Sequence, residues 1–149
     1  MAPVIRAGET YALPRDMTQP AAITYWFTHG NNVFVAEDVD GRIVGTYVFR
    51  TNQQGGGSHV CNCAYITAPG LTGRGVAHAM CQHSLALARQ RGFLAMQFNF
   101  VVSSNHRAVA LWQRVGFEIV GRLPRVFRHP QDGLVDAYVM YLALPTAKL

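Results

Sequence analysis

The sequence predicts an α/β domain built on a sheet of mixed direction. Two observations carry this. Runs with strand character are interleaved with stretches of helical period, in the order β, α, three β, α, β, α, β, β. Asp40-Gly41, between two of the apolar runs, is a good hairpin turn and so marks an antiparallel pair. No internal repeat and no domain boundary interrupts the pattern. A single domain over residues 1–149 is expected, long enough to bury a real core.

Val4 to Ala7 reads as a short first strand, and Gly8 to Pro20 as loop, with Pro14 and Pro20 as breakers. Ala21 to His29 is a helix ended by Gly30 and Asn31. Val33 to Glu37 and Arg42 to Arg50 are the hairpin strands. Thr51 to Ser58, with Gly55-Gly56-Gly57, is a flexible loop rather than a phosphate cradle. His59 to Ala68 is the next strand, along which His59, Cys61 and Cys63 alternate and share one face. Zinc would need a fourth ligand at a usual spacing, and none is found. The three read as a buried strand face, and no metal is expected.

A second helix carries Val76, Met80, Leu87 and Ala88 near helical period and stops at Gly92, just behind Arg89 and Arg91. Phe93 to Val102 is a strand with Asn99 inside its apolar run, a buried amide that needs partners. Ser103-Ser104-Asn105 is an N-cap cluster. The helix behind it carries Ala108, Leu111, Trp112 and Val115 and ends at Gly116. Phe117 to Arg122 and Leu134 to Leu144 are the last strands, joined by an Arg-rich loop from Pro124 to Gly133.

The stretch from Tyr65 to Ala77 concentrates the chemistry. A strand ends at Pro69, a Gly-rich turn follows, and a helix begins. Gly73 and Gly75 let the backbone turn tightly and approach a ligand closely. The first N–H groups of the helix point out of the turn, which favours an anion. A plain strand-to-helix turn that binds nothing is the equal alternative from these residues alone. A Walker A loop is excluded, because no Lys-Ser or Lys-Thr follows the glycines. The dinucleotide fingerprint fits no better, because its third glycine is missing.

Half the residues are hydrophobic and 14% are charged, which excludes a disordered chain. No apolar run is long enough to span a membrane and no signal-peptide pattern opens the chain, so a cytoplasmic protein without a membrane partner is expected. Three cysteines are too few and too odd for a disulfide framework. The net charge is +5, nearly all of it from arginine. No acidic residue lies between Asp40 and Glu118, an interval that holds Arg42, Arg50, Arg74, Arg89, Arg91, Arg107 and Arg114. Such a one-signed field suits a polyanion, either coenzyme A or nucleic acid.

The glycine turn resembles the acetyl-CoA loop of the GNAT N-acetyltransferases, whose pattern is Gln or Arg, two residues, Gly, one residue, then Gly or Ala. Thr72, Gly75 and Ala77 occupy its fixed positions, with Thr72 a departure that removes a side-chain donor. Ser104-Asn105, Ala108, Leu111-Trp112, Arg114 and Gly116-Phe117 resemble the second motif of the same family, in its order and at a suitable separation. The resemblance covers roughly Val33 to Leu144. It implies a mostly antiparallel mixed sheet flanked by helices, with acetyl-CoA as cosubstrate. The coenzyme would be held at Tyr65, Ile66, Thr67, Thr72, Gly73, Arg74, Gly75, Val76, Ala77, Asn105 and Trp112. Trp112 stands where many members place a Tyr as general acid, and an indole N–H has no useful acidity.

A narrower resemblance rests on His59 to Tyr65, Gln97 to Val101 and Leu134 to Ala137. These look like the branch that includes the proline-analogue (azetidine-carboxylate) N-acetyltransferases. Asn62, Tyr65 and Asn99 then match the substrate positions, with Asn62 and Asn99 as the catalytic contacts. Asn62 and Tyr65 are an odd number apart, so a shared site requires a β-bulge near Cys63 to Tyr65. The bulge would also turn backbone donors of Tyr65 to Thr67 toward the thioester carbonyl. An unbroken ladder there would remove both.

No carboxylate base is available on the central strands, and His59 faces away from Asn62 by alternation. A bound water is therefore expected to take the amine proton, favouring an acceptor of low amine pKa. The expected function is acetyl transfer to the amine of a small molecule, an amino acid or an analogue, by direct attack in a ternary complex. The alternatives are a protein or peptide N-acetyltransferase, or a non-catalytic acyl-CoA or nucleic-acid binding module. The basic loop around Arg122, Arg125 and Arg128 keeps a larger partner open. Nucleic acid is disfavoured, and a homodimer is allowed for.

Overall fold

The structure, a computed structural model, describes residues 1–145; residues 146–149, the end of the expected single domain, lie outside the described residues. Six strands form one sheet: β1 (Asn32–Glu37), β2 (Ile43–Thr51), β3 (Val60–Thr67), β4 (Ala95–Val102), β5 (Glu118–His129) and β6 (Gly133–Ala143). Their order is β1-β2-β3-β4-β6-β5. The β1/β2, β2/β3 and β5/β6 pairs are antiparallel and β3/β4 is parallel, so the mixed, mostly antiparallel sheet is as expected. The helices are α1 (Ala2–Ala7), α2 (Gln19–Trp26), α3 (Val76–Gln90) and α4 (His106–Val115). The chain divides into two compact units, residues 1–22 with 98–142, and residues 23–97 with the segment from 143. Among the described residues no helix is long and apolar enough to cross a membrane.

In the unit of residues 23–97, the Asp40-Gly41 hairpin is built as read. Asp38 Oδ1 accepts from the Asp40 and Arg42 N–H groups, and Gly41 takes φ +75°. Trp26 is buried, and its indole N–H donates to Thr46 Oγ1 at 3.2 Å. Phe34, Tyr47 and Tyr65 are direct cross-strand partners on β1, β2 and β3 and form a row of rings. α3 lies over that row. The Tyr47 phenol meets His83 Nδ1 at 2.6 Å, and the Tyr65 phenol meets Ser84 Oγ at 2.7 Å. Burial pushes both phenols well above their ordinary pKa, so each keeps its proton at neutral pH. Gly45 marks where α3 approaches β2: a Cβ there would lie 2.9 Å from Met80 Cε and Sδ and 3.0 Å from Val76 Cγ1.

In the other unit, Val4 to Ala7 is helix rather than strand. Pro3 sits in the first turn, where no N–H is needed, and Gly8 at φ 66° closes the helix by donating to Val4 O. Pro20 likewise sits in the first turn of α2 instead of breaking it. α4 starts at Asn105, whose Oδ1 accepts from the Ala108 N–H at 3.3 Å. It ends at Gly116, φ 116°, with Trp112 packed against Phe98 and Phe117. The expected Arg-rich loop from Pro124 is strand instead, because β5 runs on to His129 across a bulge.

Candidate active site

The turn before α3 has the geometry an anion needs. Gly73 (φ +84°) and Gly75 (φ +83°) are both left-handed, and nothing lies within 4 Å of where a Cβ would stand on either. Gly75 is the N-cap, so no side chain caps the helix, and the first helical bond is Ala79 N–H to Gly75 O. The Val76, Ala77 and His78 N–H groups precede that bond and have no intrahelical acceptor. Thr72 and Arg74 are exposed beside them. An open cleft of about 390 Å³ adjoins the turn, lined by Leu71, Arg74, Gly75, Val76 and Ala79 and by Ala36 to Asp38 and Val44 from the hairpin. Uncapped donors, two open glycines and an exposed arginine fit a pyrophosphate.

The bulge predicted near Cys63 to Tyr65 is absent. The β2/β3 register runs unbroken from Gly45↔Thr67 to Thr51↔Cys61. Asn62 and Tyr65 consequently lie on opposite faces of β3, and their shared site is withdrawn. Tyr65 points at α3, while Asn62 occupies the other face, buried at 4% exposure. Irregularities occur elsewhere, at Ala36/Glu37, Ile119/Gly121 and Leu123/Phe127.

The same ladder nonetheless orients the backbone. Ala68 N–H bonds Val44 O and Asn52 N–H bonds Val60 O, so the even residues of β3 exchange bonds with β2. Cys63, Tyr65 and Thr67 therefore direct their backbone groups to the other edge without any bulge, which corrects the expectation that an unbroken ladder removes the thioester donors along with the shared site. On that edge the parallel register with β4 holds at Val60↔Ala95 and Cys61↔Met96. Asn62 Nδ2 then donates to the Gln97 carbonyl at 2.8 Å. Its Oδ1 is buried with no hydrogen-bond partner. A buried acceptor left unmatched is costly, so this oxygen is a candidate ligand contact.

Asn99 is exposed, not buried as read from its apolar neighbours. Phe98 turns to Trp112 and Phe117, and alternation sends Asn99 to the opposite face of β4. Asn105 spends Oδ1 on the α4 cap, which leaves Nδ2 to donate elsewhere. Trp112 is 7% exposed and its ring is held by packing. Ser104 Oγ is a second buried atom without a partner, and the N-cap reading of its cluster gave no hint of it. His59 lies in the exposed turn before β3, and His106 is the exposed first residue of α4.

Cys61, Cys63 and Cys81 are buried free thiols. Burial pushes Cys61 and Cys81 up to about 12, and Cys63 further. Such thiols stay protonated at neutral pH and make poor nucleophiles. Transfer through an acetyl-cysteine is therefore disfavoured.

Comparison with known proteins assigns the family. A GCN5-related N-acetyltransferase from Kribbella flavida superposes with a TM-score of 0.91 at 38% identity, over 96% of this chain and 87% of that one. The protein yncA of Salmonella typhimurium, solved with its cofactor acetyl-CoA, shares the fold at TM-score 0.81 and 18% identity, over 99% of this chain and 86% of that one. An N-acetyltransferase of Schizosaccharomyces pombe, aca1, is 25% identical over 158 residues, 95% of this chain and 76% of the relative. The fold is thus that of an acetyl-CoA-dependent N-acetyltransferase. Residues 5–117 match the Acetyltransferase (GNAT) family, and the chain belongs to it.

Proposed function

We propose that the acceptor is the amine of a small molecule, an amino acid or an analogue of the azetidine-carboxylate kind, acetylated by direct attack in a ternary complex. The observation that carries this is Asn62. Its Nδ2 is anchored on Gln97 O, and its buried Oδ1 is short of one donor. An acceptor amine N–H is such a donor, and a fixed amide oxygen would orient it for attack. Asn99, exposed on β4, is proposed as a second polar contact.

Acetyl-CoA supplies the thioester. The α3 turn, with donors from Thr72 to Ala77, is proposed to hold its pyrophosphate, and Asn105 Nδ2 and the Trp112 ring to contact the coenzyme. Backbone N–H groups of Tyr65 and Thr67 point to the β3 edge away from β2, where they could stabilise charge on the thioester oxygen. Neither His59 nor His106 is placed against Asn62 by any contact, so a water remains the proposed proton acceptor.

Thiol release measured across amino acids, polyamines and peptides tests the acceptor class. Asn62→Ala is expected to cut kcat by on the order of a hundredfold with acetyl-CoA KM and folding retained. Loss of stability with unchanged kcat would make Asn62 a structural residue of the sheet. A pH limb that vanishes in a His59 variant would replace the water by histidine.

A further inference from the structure

Arg50 and Asn62 are direct cross-strand partners on β2 and β3, within the unit of residues 23–97. Partners across an antiparallel pair project from the same face of the sheet. The even residues of β3 exchange bonds with β2, so theirs is a hydrogen-bonded pair, with Cα atoms about 5.5 Å apart. The face they share is the one away from α3. Tyr47 and Tyr65 take the α3 side, and Phe49 joins them by alternation, with the Arg91 guanidinium 5.3 Å from its ring centre. On the opposite side of β2, Thr46 Oγ1 meets the Trp26 indole, Val48 is buried and Arg50 is partly exposed.

Two unmatched groups therefore stand on neighbouring strands. The Arg50 guanidinium makes no hydrogen bond or ion pair with any of the described residues. Asn62 Oδ1 is buried without a donor, while its Nδ2 is held on Gln97 O of the same unit. A cation beside a fixed acceptor oxygen is the complement of a carboxylate beside an amine. The proposed pyrophosphate donors are remote from this cation. Gly45 lies under Val76, the first residue of α3, and Arg50 is further along β2 by about 17 Å and on the other face.

We propose that Arg50 is a specificity-determining residue that binds a carboxylate on the acceptor, next to the amine that Asn62 receives. This rests on the small-amine reading above and narrows it to acceptors whose amine and carboxylate are close together, as in an α-amino acid. The guanidinium fork matches a carboxylate with two parallel N–H···O bonds.

The test compares each acid with its own carboxamide, so that differences in amine basicity cancel between wild type and variant. L-Azetidine-2-carboxylate and L-azetidine-2-carboxamide are the first pair, followed by common amino acids and their amides. Arg50→Gln is expected to lower the acid-to-carboxamide ratio of kcat/KM by about tenfold or more, with the acetyl-CoA KM and the melting temperature retained. Arg50→Lys should restore part of that ratio, because it keeps the charge and loses the fork. Asn62→Ala should lower acid and carboxamide alike, because both carry the amine. An equal loss on acid and carboxamide in Arg50→Gln would mean that the arginine serves Asn62 Oδ1 or the sheet, and would overturn the proposal. No loss on either would overturn it too and leave the small-amine reading standing. A raised acetyl-CoA KM would give the cation to the coenzyme and overturn it as well. If wild type releases thiol with no amine of the panel, the small-amine reading itself fails and takes this proposal with it.

Discussion

Two helices of this protein start in opposite ways. α4 opens on Asn105, whose side chain accepts the Ala108 N–H, so the helix closes its own start. α3 opens on Gly75, which has no side chain, and behind it the turn is propped open by a second left-handed glycine. Both starts were legible as helix starts, yet only one leaves its first donors without a side-chain cap. A helix start becomes an anion site by what it lacks, and the Asn105 cap shows the default that α3 forgoes.

The strongest way to break this contrast is Gly75→Val. A β-branched residue at φ +83° is strained, and its side chain fills the space by which a phosphate would approach. Acetyl-CoA affinity, read by calorimetry, should fall by at least about tenfold, or ~1.4 kcal/mol. Unchanged affinity would mean that the coenzyme binds elsewhere.

Gly45→Val attacks the same start from beneath. Its new atoms would press on Met80 and on Val76, the first residue of α3. A stability loss of about 1–3 kcal/mol is expected, with a raised acetyl-CoA KM, and Met80→Ala should restore part of both. No restoration would show that α3 is not seated by this contact.

Asn105 sharpens the other half. Asn105→Ala should lose about 1 kcal/mol of stability with the cap. Asn105→Asp keeps the cap acceptor and removes the Nδ2 donor. It should keep the melting temperature and raise the acetyl-CoA KM by a few-fold. A normal KM in Asn105→Asp would leave the residue a cap alone.

The smallest effect at neutral pH comes from the core under α3. Cys61 and Cys81 have folded pKa values of about 12 against 9.0 for the unfolded thiol, and Cys63 is raised too. The unfolded chain loses these protons first. Stability is therefore fully present below pH 9 and falls as pH rises toward 12. Melting temperatures at pH 8 and pH 10 should differ in that direction, and a flat profile would mean that the thiols are not buried in solution.

Much of the fold was legible because local chemistry agreed with it. Asp40-Gly41, the Asn105 cap and the Gly92 and Gly116 stops are local signals, and the structure keeps all four. The misreadings have physical causes. Val4 to Ala7 was too short for periodicity to separate strand from helix, and Pro3 and Gly8 decided it. Pro124, Arg125 and Arg128 look like loop, yet an edge strand tolerates a proline where it bulges. The bulge assigned to β3 came from assuming that Asn62 and Tyr65 serve one site through their side chains. The ladder needs no bulge, because alternate residues already face its two edges. Gly45, a glycine inside a strand, did carry the signal for close approach of a neighbour. Nothing local marked the orphan oxygen of Asn62, since burial and partnership depend on β4.

Initial-velocity kinetics test the central claim most directly. Direct transfer in a ternary complex predicts double-reciprocal lines that intersect when acetyl-CoA and the accepted amine are varied together, with no acetylated enzyme trapped when the amine is withheld. Parallel lines, with acetyl-enzyme isolated from acetyl-CoA alone, would place a covalent relay on this chain and contradict the account.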